Sequence, residues 1–179
     1  MALSCAALAV LASAVAGCGE STTQKQTDQY AQGLCTSIST WTRQINAIAA
    51  SLTNGTPQHV ARTKLVRART ATIQLVTDVQ ALQVPDVSGA QEARQHVDRL
   101  VADSQATIIT LQVAKKQIDS YGTGARNIAT VALPVALQLA NLVSEGKSTV
   151  TALKVVKGPF EKAVKKSEAC KAIESAQAT

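Results

Sequence analysis

The side chains in this 179-residue chain with most chemistry to offer are four cysteines and two histidines. His59 and His96 stand in no spacing that metal ligands use. Glu92 and His96 share a helix face four residues apart, whereas a carboxylate-bridged di-iron bundle repeats Glu-x-x-His on two helices. A cysteine nucleophile needs a base within hydrogen-bond reach, and no histidine lies close in sequence to Cys35 or Cys170. Asp and Glu together number 12, with no clustered pair to divide acid and base roles. No Gly-x-Ser-x-Gly elbow occurs, and Gly122-Thr123-Gly124 reads as a turn, not a phosphate loop. This inventory points away from an enzyme, a metal site or a bound cofactor, and toward a binding or structural role.

The cysteines gain meaning from what surrounds them. Ala2 to Ala16 carries no charge and centres on Leu8-Ala9-Val10-Leu11, the length of a signal-peptide apolar region. It is too short to span a bilayer, which takes ~20 apolar residues. It ends in Val15-Ala16-Gly17-Cys18, which resembles the lipobox of bacterial lipoproteins. That resemblance implies removal of residues 1–17 as a signal peptide and lipidation of Cys18 with diacylglycerol, usually joined by a further acyl chain such as palmitate. The protein would then be anchored on the extracytoplasmic face of the cell membrane. Two or more acyl chains on one residue anchor stably, whereas one holds only marginally. The alternative is an ordinary secretory signal cut near Ala16, leaving Cys18 as a bare thiol. A composition rich in Ala, Thr, Val and Gln also looks like that of small uncharacterised actinobacterial lipoproteins, a likeness that implies no function.

With Cys5 lost in the signal and Cys18 lipidated, Cys35 and Cys170 form an even pair in an oxidising compartment, and a disulfide between them is expected. The other reading is two buried thiols acting as small apolar side chains. The charge of +6 lies wholly beyond residue 17. Export removes nucleic acid from consideration and leaves anionic lipid headgroups, wall polymers or an envelope protein as partners.

Aromatic residues make up 2% of the chain, so the core must be built from Leu, Ile, Val and Ala, which suits helix packing. Residues 18–26 lack apolar periodicity and read as a flexible tether, followed by one domain over 27–175. Tyr30, Leu34, Ile38, Trp41, Ile45, Ile48 and Leu52 form the first helical stripe. Asn54-Gly55 ends it, and Thr56-Pro57 should cap and open the second helix. That helix runs through Ala61, Leu65, Ala68, Thr72, Leu75, Val79 and Leu82 to Val84-Pro85. Ser88, with Gln91 three residues on, suggests a capping box for the third helix, which carries its stripe from Ala90 to Tyr121. The fourth stripe runs from Ile128 to Val156, through a Gly146 that should weaken the helix without ending it. Pro134 marks either a kink in its first turns or a later start. Gly158-Pro159 is a firm stop, and Phe160, Ala163, Val164, Ser167 and Ile173 form a short fifth helix.

The expected fold is therefore all-α: an antiparallel up-down bundle of four helices plus a short C-terminal helix after Gly158-Pro159. Helix lengths constrain the cysteine pair. At ~1.5 Å per residue, Cys35 lies roughly 27 Å below the top of the first helix, while an unbroken fourth helix would carry Cys170 roughly 65 Å down. A reversal at Gly158 brings it back to roughly 28 Å, so the last helix should fold against the first.

Two further features bear on function. Lys157, Lys162, Lys165 and Lys166 load the C-terminal segment and are candidates for headgroup contacts, against the plainer reading of a solvated face. Small or hydroxylated residues at stripe positions, among them Ala61, Ala68, Thr72, Ala93, Ser104 and Ala114, mean either close packing or an inter-helix cavity carrying a lipid or other apolar ligand.

Overall fold

Apolar residues recurring at intervals of three and four do fold as helices. The computed structural model describes residues 21–53, 55–121 and 125–175. The expected signal peptide 1–17 and the candidate lipidation site Cys18 lie outside the described residues, as do Asn54 and Gly122-Thr123-Gly124. The elements are α1 (Thr22–Ala50), α2 (Gln58–Ala81), α3 (Ala90–Ser120), α4 (Ala125–Leu153), α5 (Pro159–Lys166) and α6 (Glu168–Ser175). No strand occurs among the described residues.

α1 packs against α2, α4, α5 and α6, while α3 packs against α2 and α4. The stripes meet as expected: all seven residues of the first, from Tyr30 to Leu52, are buried. So are Ile128, Val135, Leu139, Leu142 and Val150 of α4. Each such Leu, Ile or Val contributes about 1.5–3 kcal/mol when fully buried. The stretch Ile128–Leu153 is long and apolar enough to cross a membrane by length and composition, but its stripe is spent on the core. α4 continues through both Pro134 and Gly146. Gly146 sits where α1 comes close: a Cβ there would stand 3.4 Å from Ile38 Cγ2 and 3.5 Å from Trp41 Cζ3.

Four local expectations are corrected. α1 opens at Thr22, with the Ser21 hydroxyl accepting from the Gln24 amide at 3.2 Å, so residues 22–26 belong to the helix and not to a tether. A side-chain cap and an alternating polar face suffice there even though the apolar stripe starts later. Thr56 does not cap α2; the N-cap is Pro57. The Thr56 hydroxyl instead accepts from the Thr53 amide at 2.8 Å and so braces the α1–α2 turn. Ser88 does not cap α3 either. Gly89 takes that position at φ 86°, and a Cβ on it would lie 2.6 Å from Val156 Cγ1 and 2.9 Å from the Lys157 carbonyl oxygen. Gly158, at φ 103°, faces Ser88 across the same joint. Left-handed backbone costs other L residues roughly 1–2 kcal/mol, so close approach and conformation both demand glycine at Gly89. Finally, the C-terminal helix is two: Ser167 adopts an extended conformation between α5 and α6. Its hydroxyl accepts from the Cys170 amide at 3.3 Å and contacts Gln32 Oε1 at 2.7 Å, which caps α6 and ties it to α1.

Candidate functional site: the disulfide end

α5 and α6 wrap the beginning of α1. The Phe160 and Tyr30 rings meet edge to face with centroids 5.7 Å apart, a geometry that aligns a ring's positive edge with the other's negative face. Cys35 and Cys170 are joined, with Cα atoms 5.0 Å apart and both residues fully buried. The bond spans 135 residues of sequence, and in the chain-entropy view such a link stabilises by about 5 kcal/mol. Cys35 and Cys170 are thus a structural pair, held where a reversal at Gly158 puts them.

The four candidate lysines divide. Lys166 Nζ pairs with Asp28 Oδ2 at 3.0 Å and Lys165 Nζ with Glu161 Oε1 at 2.5 Å. The hydrogen bond from Lys165, and then its charge, hold the Glu161 carboxyl below the usual range. Lys157 and Lys162 are exposed and carry no ion pair among the described residues. Lys25, in the first turn of α1, is exposed at the same end; it falls in the stretch whose lack of apolar periodicity suggests a tether.

His59 is exposed at the start of α2, and His96 is half-buried in the first turns of α3. The two are not brought together, and among the described residues no group of three or more His, Cys, Asp or Glu side chains could hold a metal ion. No known family model, curated protein or solved structure matches the chain. Any functional reading must therefore come from the geometry of the molecule itself.

The small-residue stripe is packed. Ala61, Ala68, Ala93 and Ser104 are fully buried, and the Thr72 hydroxyl donates to the Ala68 carbonyl at 2.8 Å while accepting from Trp41 Nε1 at 3.2 Å. Two surface hollows lie beside Tyr30, and another of about 590 Å³ lies between α1 and the α5–α6 segment. One hollow of about 310 Å³ lies between Gln26, Gln29, Tyr30 and the 81–86 segment. A second, of about 630 Å³, lies between Tyr30, the end of α2 and the first turns of α3. Leu82, Gln83 and Val84 divide them. They do so because α2 stops at Ala81 and Leu82 turns extended ahead of Pro85.

Tyr30 is the residue that sequence reasoning placed only in the core. It is 3% exposed, and burial, followed by the nearby Asp98 carboxylate, pushes its phenol up to about 12. Its hydroxyl has no hydrogen-bond partner among the described residues. The only signal in the sequence was that its stripe neighbours are aliphatic while it carries a polar tip.

Proposed function

We propose that the chain is a lipid-anchored, extracytoplasmic, non-catalytic binding module whose first four helices run up and down in succession. The short connections favour alternating directions. So do the contacts that join the start of α2 to the end of α3, where Gln58 Nε2 donates to the Ile118 and Tyr121 carbonyls at 2.7 and 2.8 Å.

The observation that carries the membrane reading is where α1 begins. Only residues 19–21 separate Cys18 from Thr22, and three extended residues span about 10 Å. A lipidated Cys18 would therefore hold the disulfide end close to the headgroups, with Lys25, Lys157 and Lys162 toward them. Each lysine near an anionic surface adds about 1 kcal/mol of attraction. In a vesicle co-sedimentation assay, the protein with Cys18 replaced by Ala should bind anionic vesicles in preference to neutral ones, and binding should weaken with salt. Lys157→Glu with Lys162→Glu should abolish that preference. Equal binding to neutral and anionic vesicles by the parent would contradict the reading.

A further inference from the structure

We propose that the hollow between the middle of α2 and the last turns of α3 is a binding site for a small phosphate monoester. The inference stands apart from lipid attachment and would hold for the same domain in solution.

Cations gather there without carboxylates to balance them. α2 carries Arg62, Lys64, Arg67 and Arg69, and no Asp or Glu falls between Gln58 and Thr77. The stretch of α3 from Ser104 to Ile118 holds Lys115 and Lys116 and again no Asp or Glu. The first carboxylate beyond it, Asp119, is already shared: Arg62 Nε lies 3.0 Å from Oδ1 and Lys115 Nζ 2.5 Å from Oδ2.

The decisive residue is Arg69. Its side chain is half-buried and lines a hollow of about 290 Å³ together with Leu65, Leu111, Gln112, Lys115 and Lys116. Its Nε is buried and has no hydrogen-bond partner. A cationic donor that has lost water without gaining an acceptor is costly, and an oxyanion in the hollow would relieve that cost. Other helix-borne cations are treated differently: Arg94, Lys165 and Lys171 each pair with a carboxylate three or four residues away. The residues three and four away from Arg69 are Leu65, Val66, Thr72 and Ile73, and the hollow adds only the neutral Gln112.

The lining selects the ligand. A guanidinium fork takes two oxygens of a phosphate or carboxylate, and lysines add point charges. Arg69, Lys115 and Lys116, with no carboxylate in the lining, suit a monoester carrying nearly two charges at neutral pH better than a monoanionic carboxylate or diester. Leu65 and Leu111 offer apolar wall to its carbon body. The size stands at the lower edge, ~300 Å³, of ligand sites, which fits a small ester. Gln58 and Arg62 tie this half of α2 to the end of α3, away from the disulfide end, so the ester is one in solution and not a headgroup of the membrane proposed above.

The test is calorimetric or NMR titration of the full chain in detergent with three probes: glycerol 3-phosphate, the diester glycerophosphoglycerol and the carboxylate glycerate. Glycerol 3-phosphate should bind saturably and more tightly than either monoanion, and salt should weaken it. Arg69→Gln should weaken that binding about tenfold or more without lowering the melting temperature. Arg67→Gln removes the same charge from an exposed position outside the lining and should leave binding close to the parent's. No saturable binding of glycerol 3-phosphate would overturn the proposal, as would equally tight binding of glycerate or the diester. So would an Arg69→Gln protein that binds as the parent does, or a loss in Arg67→Gln as large as that in Arg69→Gln.

Discussion

The two ends of the molecule are held by different physics. At the disulfide end a covalent link, an aromatic pair and three helices converge on the first turns of α1. At the far end the helices share the buried core, with Ile48, Leu52, Leu65 and Ile118 in it, and the joints between them add single polar contacts. The Thr56 hydroxyl braces one turn, and Gln58 satisfies carbonyls at the end of α3. Arg62 Nε reaches Asp119 Oδ1 at 3.0 Å while Lys115 approaches Oδ2 of the same carboxylate at 2.5 Å. Exposed ion pairs contribute little and are screened by salt, and one hydrogen bond contributes about 1 kcal/mol net. The contrast teaches that the end closed by the covalent link is the one that also presents Lys25, Lys157 and Lys162, so the disulfide lies where contact with a membrane is proposed.

Reduction is the strongest way to break this contrast. Opening Cys35–Cys170 with a thiol-free reductant should lower unfolding free energy by about 5 kcal/mol, read from urea midpoints of the oxidised and reduced protein. Amide exchange should accelerate first in α5 and α6. An alkaline titration sharpens it next. Below about pH 10 the Tyr30 phenol is neutral both folded and unfolded. Above that the unfolded chain releases a proton that the folded chain retains until about pH 12. Stability should therefore fall by about 3 kcal/mol as pH rises through this window. Tyr30→Phe should remove that part of the loss, in a pH series of urea melts.

Effects at the far end should be smaller. Gln58→Ala leaves the Ile118 and Tyr121 carbonyls to water and should cost about 1 kcal/mol, measured in the same melts. Asp119→Asn should have the least effect. The hydrogen bond from Lys115, with the charge of Arg62 beside it, holds the Asp119 carboxyl below its ordinary value. Its contribution is thus present above the usual carboxylate range and lost as pH falls through the lowered value. The exposed site should leave the urea midpoint at neutral pH within replicate scatter, and salt should not enlarge the difference.

Periodic stripes made most of the helices legible from the sequence, since burial of every third or fourth residue leaves a clear imprint, while the Cys35–Cys170 pairing was legible from the cysteine count. The reversal at Gly158 followed from helix rise and the need to bring Cys170 level with Cys35. What escaped notice were features set by tertiary fit. Ser88 has the chemistry of a cap, yet the approach of Val156 and Lys157 leaves room only for Gly89. Residues 22–26 carry no apolar stripe, yet a Ser21 cap and the helix that follows draw them in. Ser167 looked like one more core position, but its hydroxyl divides the last helix in two. The hollows beside Tyr30 were invisible because they depend on α2 ending at Ala81 and the extended segment that follows, which no spacing along the chain reveals.

The proposal that orients the whole molecule is lipidation of Cys18, four residues before the start of α1. Intact mass of the native protein, with fragmentation of its first peptide, reads this directly. A mature chain that starts at Cys18 and carries diacylglycerol with an additional acyl group is the expected result. A chain with a free thiol at Cys18, or one still bearing residues 1–17, would contradict it.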